Sequence, residues 1–128
     1  MKSRRKNSQL FLSLVVLCLF VGCQSLAQYY MPNGAEGVAR YYAKRYHGKK
    51  TTSGEIYDSK KMTAAHPTLP LGTRVKVVNL DNNKSVIVKI NDRCLEHEDV
   101  FIDLSHQAAR KIGMIKKGKA NVRISVVN

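Results

Sequence analysis

Apolar and polar residues alternate along two stretches of this chain, Thr73 to Leu80 and Lys84 to Asn91. In the first, Val75 and Val77 alternate with Arg74, Lys76 and Val78; in the second, Val86, Val88 and Ile90 alternate with Ile87 and Lys89. A period of two buries one face of a strand, and Asp81-Asn82-Asn83 between the runs is hairpin-turn chemistry. Ala120 to Val127 repeats the pattern, with Val122, Ile124 and Val126 on one side. Gly37 to Ala43 is β-prone, and Met62 to Ala65 reads as a short strand closed by His66-Pro67, because proline biases the residue before it toward extended backbone.

The period becomes helical after Ser105. That serine is placed to cap a short helix in which Ala108, Ala109 and Ile112 share a face, Arg110 and Lys111 occupy the last turn, and Gly113 stops the run. Ile102-Asp103-Leu104 is assigned to the loop before this helix. Short strands, one helix and many turn signals predict an all-β fold, a small closed barrel that leaves no sheet edge exposed.

The first residues follow a different logic. Lys2, Arg4, Arg5 and Lys6 precede a near-continuous apolar run from Leu10 to Val21, a length suited to an export signal rather than a membrane span. Two processing outcomes compete: Ser25-Leu26-Ala27 fits cleavage before Gln28, while Gly22-Cys23 resembles a lipobox whose cysteine becomes lipidated. Residues 1–27 are therefore assigned to a signal peptide, 28–36, with Pro32, Asn33 and Gly34, to a short tether, and 37–128 to one compact domain.

Charge narrows the partners. The chain has 22 Lys and Arg against nine Asp and Glu, a formal charge of +13, and every acid lies after the signal segment. Such an excess attracts polyanions at long range. Export favours an anionic cell-wall polymer over nucleic acid, so no nucleic-acid partner is expected. Cys94 is the one thiol after residue 27, so no disulfide framework is available. Cys94 with His97 supplies only half of a metal-ligand spacing, and neither a metal nor a cofactor is expected.

Two carboxylates and an imidazole mark the candidate chemistry. Asn91-Asp92-Arg93 ends the second alternating run, Ile102-Asp103-Leu104-Ser105 follows, and Thr63-Ala64-Ala65-His66 lies upstream. Each also has a structural reading: Asn91-Asp92 as a strand-end cap, Asp103 as part of the helix cap, His66 as a satisfied buried ring. Glu55 and Asp58 fit either sugar hydroxyls or solvated turns. Tyr41, Tyr42, Tyr46 and Tyr57 suit either stacking on pyranose rings or core packing. Arg40, Lys44, Arg45, Lys49, Lys50, Lys60 and Lys61 form a basic, solvated face.

An ordered series of motifs resembles the rare lipoprotein A family: Gly37-Val38-Ala39-Arg40-Tyr41-Tyr42, His47-Gly48-Lys49-Lys50-Thr51, Ser53-Gly54-Glu55-Ile56-Tyr57-Asp58, Thr63-Ala64-Ala65-His66, Leu69-Pro70-Leu71-Gly72-Thr73, Val75-Lys76-Val77-Val78-Asn79-Leu80, Asn91-Asp92-Arg93 and Ile102-Asp103-Leu104-Ser105. The resemblance implies a six-stranded double-psi β-barrel and an endolytic peptidoglycan lytic transglycosylase that prefers glycan strands without stem peptides. It also implies that Asp92 is the catalytic acid and that His66 assists it. Asp103, Glu55, Tyr57, Asp58, Tyr42 and Arg93 complete the expected substrate-binding set. Two features depart from the family pattern. Cys94-Leu95-Glu96 stands where members commonly have Gly-Pro and an aromatic, and the resemblance stops near Val127, without the peptidoglycan-binding module many relatives carry.

The implied reaction needs one group that gives a proton to the glycosidic oxygen and then takes one from the C6 hydroxyl as a 1,6-anhydro ring closes. Asp92 should therefore have a raised pKa, through burial or through Asp103 as a like charge, with His66 as a hydrogen-bond partner and Arg93 on the opposite strand face. The alternative is a non-catalytic, expansin-like module that grips or loosens glycan. Both readings place a monomer in the periplasm or cell envelope, with membrane contact only through a lipid on Cys23.

Overall fold

The valine alternation becomes the wall of a closed barrel in the computed structural model, which describes residues 34–95 and 100–127. The strands are β1 (Ala35–Tyr41), β2 (Thr63–Ala65), β3 (Arg74–Asn79), β4 (Ser85–Asp92), β5 (Val100–Leu104) and β6 (Ala120–Val126), and they close in the order β1-β5-β2-β4-β3-β6. Neighbours β1/β5 and β2/β4 are parallel and the other pairs antiparallel. This is the six-stranded double-psi arrangement. Its parallel pairs cannot be joined by tight hairpins, so long connections cross between strands and carry the functional loops.

Inward positions are apolar, as the period of two requires. Val75, Val77, Ile90, Ile102, Leu104, Val122 and Ile124 have no exposed surface, and Val88 has almost none. Fully burying side chains of this size contributes about 1.5–3 kcal/mol each. The small Ala64 and Ala65 of β2 are buried between β4 and β5. The expected hairpin joins β3 to β4, with Asn83 in the left-handed region at φ 60.

The helix α1 (His106–Lys111) forms where its signals placed it. The Ser105 side chain accepts from the Ala108 N–H at 3.2 Å, and Ala108, Ala109 and Ile112 are fully buried. Its far end is tied to the hairpin: Asn79 Nδ2 and Asn82 Nδ2 both donate to the Ile112 carbonyl, at 2.8 and 3.0 Å. Those bonds satisfy a carbonyl that the helix itself leaves unpaired.

Two expectations are corrected. Ile102-Asp103-Leu104 lies in β5, not in a loop: Val100, Ile102 and Leu104 face inward, while Phe101 and Asp103 face the rim. Five residues beside a polar segment give too short a period to read from sequence. The tether ends early, because Ala35 and Glu36 belong to β1 and pair with Ile124 and Arg123 of β6. The signal segment, both processing sites, Cys18, Cys23, the rest of the tether and His97 lie outside the described residues.

Candidate active site

One irregular step in the barrel wall positions the candidate acid. In the parallel β2/β4 pairing, Ala64 faces Ile90 while Ala65 faces Asp92, so Asn91 is skipped. A bulge of this kind bends the strand and re-aims the next side chain. Asn91 turns into the structure, 3 % exposed, and its carbonyl accepts from the Ser53 N–H at 3.1 Å. Asp92 is presented at the rim instead.

The Asp92 carboxylate accepts four hydrogen bonds. Tyr42 Oη donates to Oδ2 at 2.6 Å, while Oδ1 accepts from the Thr52 N–H at 2.9 Å, the Thr52 hydroxyl at 2.8 Å and the Arg93 N–H at 2.9 Å. Tyr42 follows β1, where its N–H bonds the Leu104 carbonyl at 3.0 Å. Thr52 rides on a tight loop in which Thr51 N–H and Oγ1 both donate to the Glu55 carbonyl, at 2.8 and 2.7 Å. Thr52 is not among the candidate residues drawn from the sequence. Backbone approach to a carboxylate leaves no compositional signal.

These bonds decide the charge of the acid. Burial raises the Asp92 pKa, but the donors from Tyr42, Thr52 and the Arg93 N–H outweigh it and hold the carboxyl below its ordinary value. The expected elevation is therefore absent from this structure. The same cluster acts oppositely on its neighbours: burial, then the bond to Asp92, pushes the Tyr42 hydroxyl pKa well up. Burial, then the charge of Asp103, pushes the Cys94 thiol up to about 11.

His66 sits beside the acid but does not bond its carboxylate. The His66 N–H donates to the Asp92 backbone carbonyl at 3.2 Å. The imidazole Nδ1 accepts from the Thr68 and Leu69 N–H groups, at 3.1 and 3.0 Å, which leaves the proton of the neutral ring on Nε2. Burial, reinforced by the Arg93 cation, lowers its pKa to about 4, so the ring is neutral at pH 7. Side-chain pairing with Asp92, expected of His66, belongs instead to Tyr42 and Thr52.

The remaining candidates separate. The Arg93 guanidinium clasps the carbonyls of Leu69 at 2.6 Å and His66 at 3.2 Å. Asp103 pairs across from Ala65 in β5, while Asp92 pairs with Ala65 from β4, so the two carboxylates flank one alanine. Glu55 is bound to Lys89 at 2.7 Å and to Asn91 at 3.4 Å. The Lys89 bond is the first cause that holds the Glu55 pKa down. Asp58 accepts from the Lys60 N–H at 2.9 Å, the solvated-turn reading.

Tyr57 is 3 % exposed, and its ring lies 4.5 Å from that of Tyr42 at an interplanar angle of 31°. The two rings line a cavity of about 360 Å³ together with Lys44, His47, Ser59 and His106, four residues the sequence did not single out for it. Nothing in their spacing unites them, because they come from a 3-10 turn (Lys44–Tyr46), two loops and α1.

The lytic transglycolase family matches residues 34–124. An endolytic peptidoglycan transglycosylase RlpA of Vibrio cholerae is 54 % identical over 91 residues, covering 71 % of this chain and 35 % of that protein. Its namesake in Helicobacter pylori is 55 % identical over 92 residues, covering 72 % of this chain and 29 % of that protein. The chain thus spans about a third of the length of the curated relatives it matches. Among solved structures, the Streptomyces papain inhibitor superposes with a TM-score of 0.60 at 24 % identity, over 77 % of this chain and 99 % of that one. An expansin of Clavibacter michiganensis does so with a TM-score of 0.61 at 20 % identity, over 74 % of this chain and 50 % of that one. Those two likenesses concern the fold.

Proposed function

The chain belongs to the lytic transglycolase family of double-psi β-barrels, and from that membership we propose that it cleaves peptidoglycan glycan strands, those lacking stem peptides, without hydrolysis. The observation that carries the proposal is Asp92, set at the rim by the β4 bulge, held by Tyr42 and Thr52, and adjacent through Tyr42 to an aromatic-lined cavity. In the reaction, protonated Asp92 gives its proton to the glycosidic oxygen as the bond from C1 of N-acetylmuramic acid breaks. The C6 hydroxyl of the same sugar then bonds to C1 and returns its proton to the carboxylate. The products are a 1,6-anhydro end and a free 4-hydroxyl, and the acid is regenerated.

Protonation is the demanding step, since the donors around Asp92 favour its charged form. A glycan laid over the rim removes water from the carboxyl and strengthens the one influence that raises its pKa, burial. Reorientation of the Tyr42 or Thr52 hydroxyl toward sugar oxygens removes opposing bonds. Neutral His66 supplies an Nε2–H donor near the rim without adding a charge that would compete.

One observation favours a second reading. A carboxylate held in its charged form by four hydrogen bonds is a poor proton donor, which suits a non-catalytic, expansin-like module. Digests of denuded sacculi decide between them. The wild type is expected to release 1,6-anhydro-N-acetylmuramic acid ends detectable by mass, and Asp92→Asn to release none while still sedimenting with glycan. Sedimentation of the wild type without anhydro products favours the second reading.

The basic-then-apolar leader supports export to the periplasm or cell envelope. The mass of the mature N-terminus distinguishes cleavage before Gln28 from lipidation of Cys23.

A further inference from the structure

We propose that the cavity beside Tyr42 is a subsite for N-acetylmuramic acid that selects the sugar's free lactyl carboxylate through Lys44, His47 and His106. The inference rests on the glycan-cleaving reading and adds the group that is recognised. The cavity's lining is Tyr42, Lys44, His47, Tyr57, Ser59 and His106, with no carboxylate among them. At about 360 Å³ it lies at the small end of ligand cavities, a size suited to a single sugar ring.

Its chemistry divides into two parts. The Tyr42 and Tyr57 rings, 4.5 Å apart, offer the apolar surface on which a pyranose face packs. The polar part consists of donors. His47 Nδ1 accepts from the Ser59 N–H at 3.1 Å, which leaves Nε2–H to donate when the ring is neutral. The Tyr57 hydroxyl accepts from the His106 N–H at 3.2 Å, so its own proton is available. The Lys44 ammonium takes part in no ion pair among the described residues. The nearest acid in sequence, Asp58, is engaged by the Lys60 N–H.

Such a donor-rich, acid-free pocket fits an anion attached to a sugar. On a glycan strand without stem peptides, the only anion is the lactyl carboxylate of N-acetylmuramic acid. Where a stem peptide is present, that carboxylate has become an amide, losing its charge and gaining bulk. Because Tyr42 both lines the cavity and bonds Asp92, a ring seated there lies next to the acid.

The test uses Asp92→Asn protein, so that ligands are bound and not consumed, and two probes: a denuded glycan oligomer, and the same oligomer with its lactyl carboxylates converted to methyl amides. Amidation is expected to weaken binding by about fivefold to tenfold, the scale of a charge-assisted contact at a partly open site. Adding Lys44→Met is expected to weaken the carboxylate probe by a similar factor and to leave the amidated probe unchanged. His106→Gln should reproduce part of that loss. Equal affinity for the two probes, or a Lys44→Met loss identical for both, overturns the proposal. Wild-type digests keep the two readings apart: carboxylate-dependent binding with no anhydro products leaves the subsite standing and removes the transglycosylase reading, whereas anhydro products with no carboxylate dependence do the reverse.

Discussion

The Tyr42 hydroxyl, one residue past the end of β1, donates a 2.6 Å hydrogen bond to Oδ2 of Asp92 in β4, a strand separated from β1 by β5 and β2 in the barrel order. The bond stabilises the charged carboxylate and raises the tyrosine's own pKa.

Tyr42→Phe removes that donor and keeps the ring. The Asp92 pKa should rise, because a hydrogen bond to the charged form is lost while burial remains. Carbon-detected NMR titration of the Asp92 carboxyl measures it directly. If transglycosylation needs the protonated acid, the alkaline limb of the kcat profile moves up by the same amount; an unmoved carboxyl titration refutes the stated role of the bond.

His66 makes stability fall as the pH is lowered from about 6.5 toward 4. Its folded pKa of about 4 lies below its ordinary 6.5, so over that interval the unfolded chain binds a proton that the folded protein refuses. The His66 share of that loss should be about 2–3 kcal/mol, less than the full linkage because the ring is partly open to solvent, and should flatten below pH 4. Asp92 is lowered from its ordinary 3.8, so the stability it contributes is present above that value and is lost only as the pH falls further, in a separate window. Urea midpoints at pH 7.5 and 4.5 should differ clearly in the wild type and much less in His66→Gln.

Arg93→Met removes the clasp on the Leu69 and His66 carbonyls. A cost of about 1–3 kcal/mol follows from two carbonyls losing a charged donor. Loss of the cation should also raise the His66 pKa, which histidine ring NMR reports independently of stability. A destabilised variant with an unchanged His66 titration would mean that the guanidinium acts only as a strut.

Gly37 leaves room for an aromatic ring. A Cβ there would collide with the ring of Phe101, which meets His66 edge-on at a centroid distance of 6.4 Å. Gly37→Ala should cost about 1–3 kcal/mol by overpacking. Pairing it with Phe101→Leu should recover part of that loss in thermal unfolding, because a smaller, rotatable side chain can yield.

Much of this molecule is legible before any coordinates. The alternation of Val75, Val77, Val86, Val88 and Ile90, the Ser105 cap and the Gly113 stop encode local structure in local residue choices. The β5 strand was hidden because its five residues carry too few periods. At the site, the motif singles out Asp92, while its pKa direction is not legible from it. That direction depends on Thr52, forty positions away, and on Tyr42, fifty positions away, brought together only by barrel closure. The partnership of His66 was misread for a related reason: its Nδ1 is occupied by the backbone of its own turn at Thr68 and Leu69, a geometry that residue names do not encode.

The skipped residue Asn91 shifts the phase of β4, so one uninterrupted segment supplies both an oily interior and a hydrophilic lip. Excising that asparagine would change the composition very little, yet it would set the aspartate directly after Ile90, keep it opposite Ala65 and erase the bulge that bends the strand there. What that one extra residue sets is therefore the aim of the acid rather than its partner.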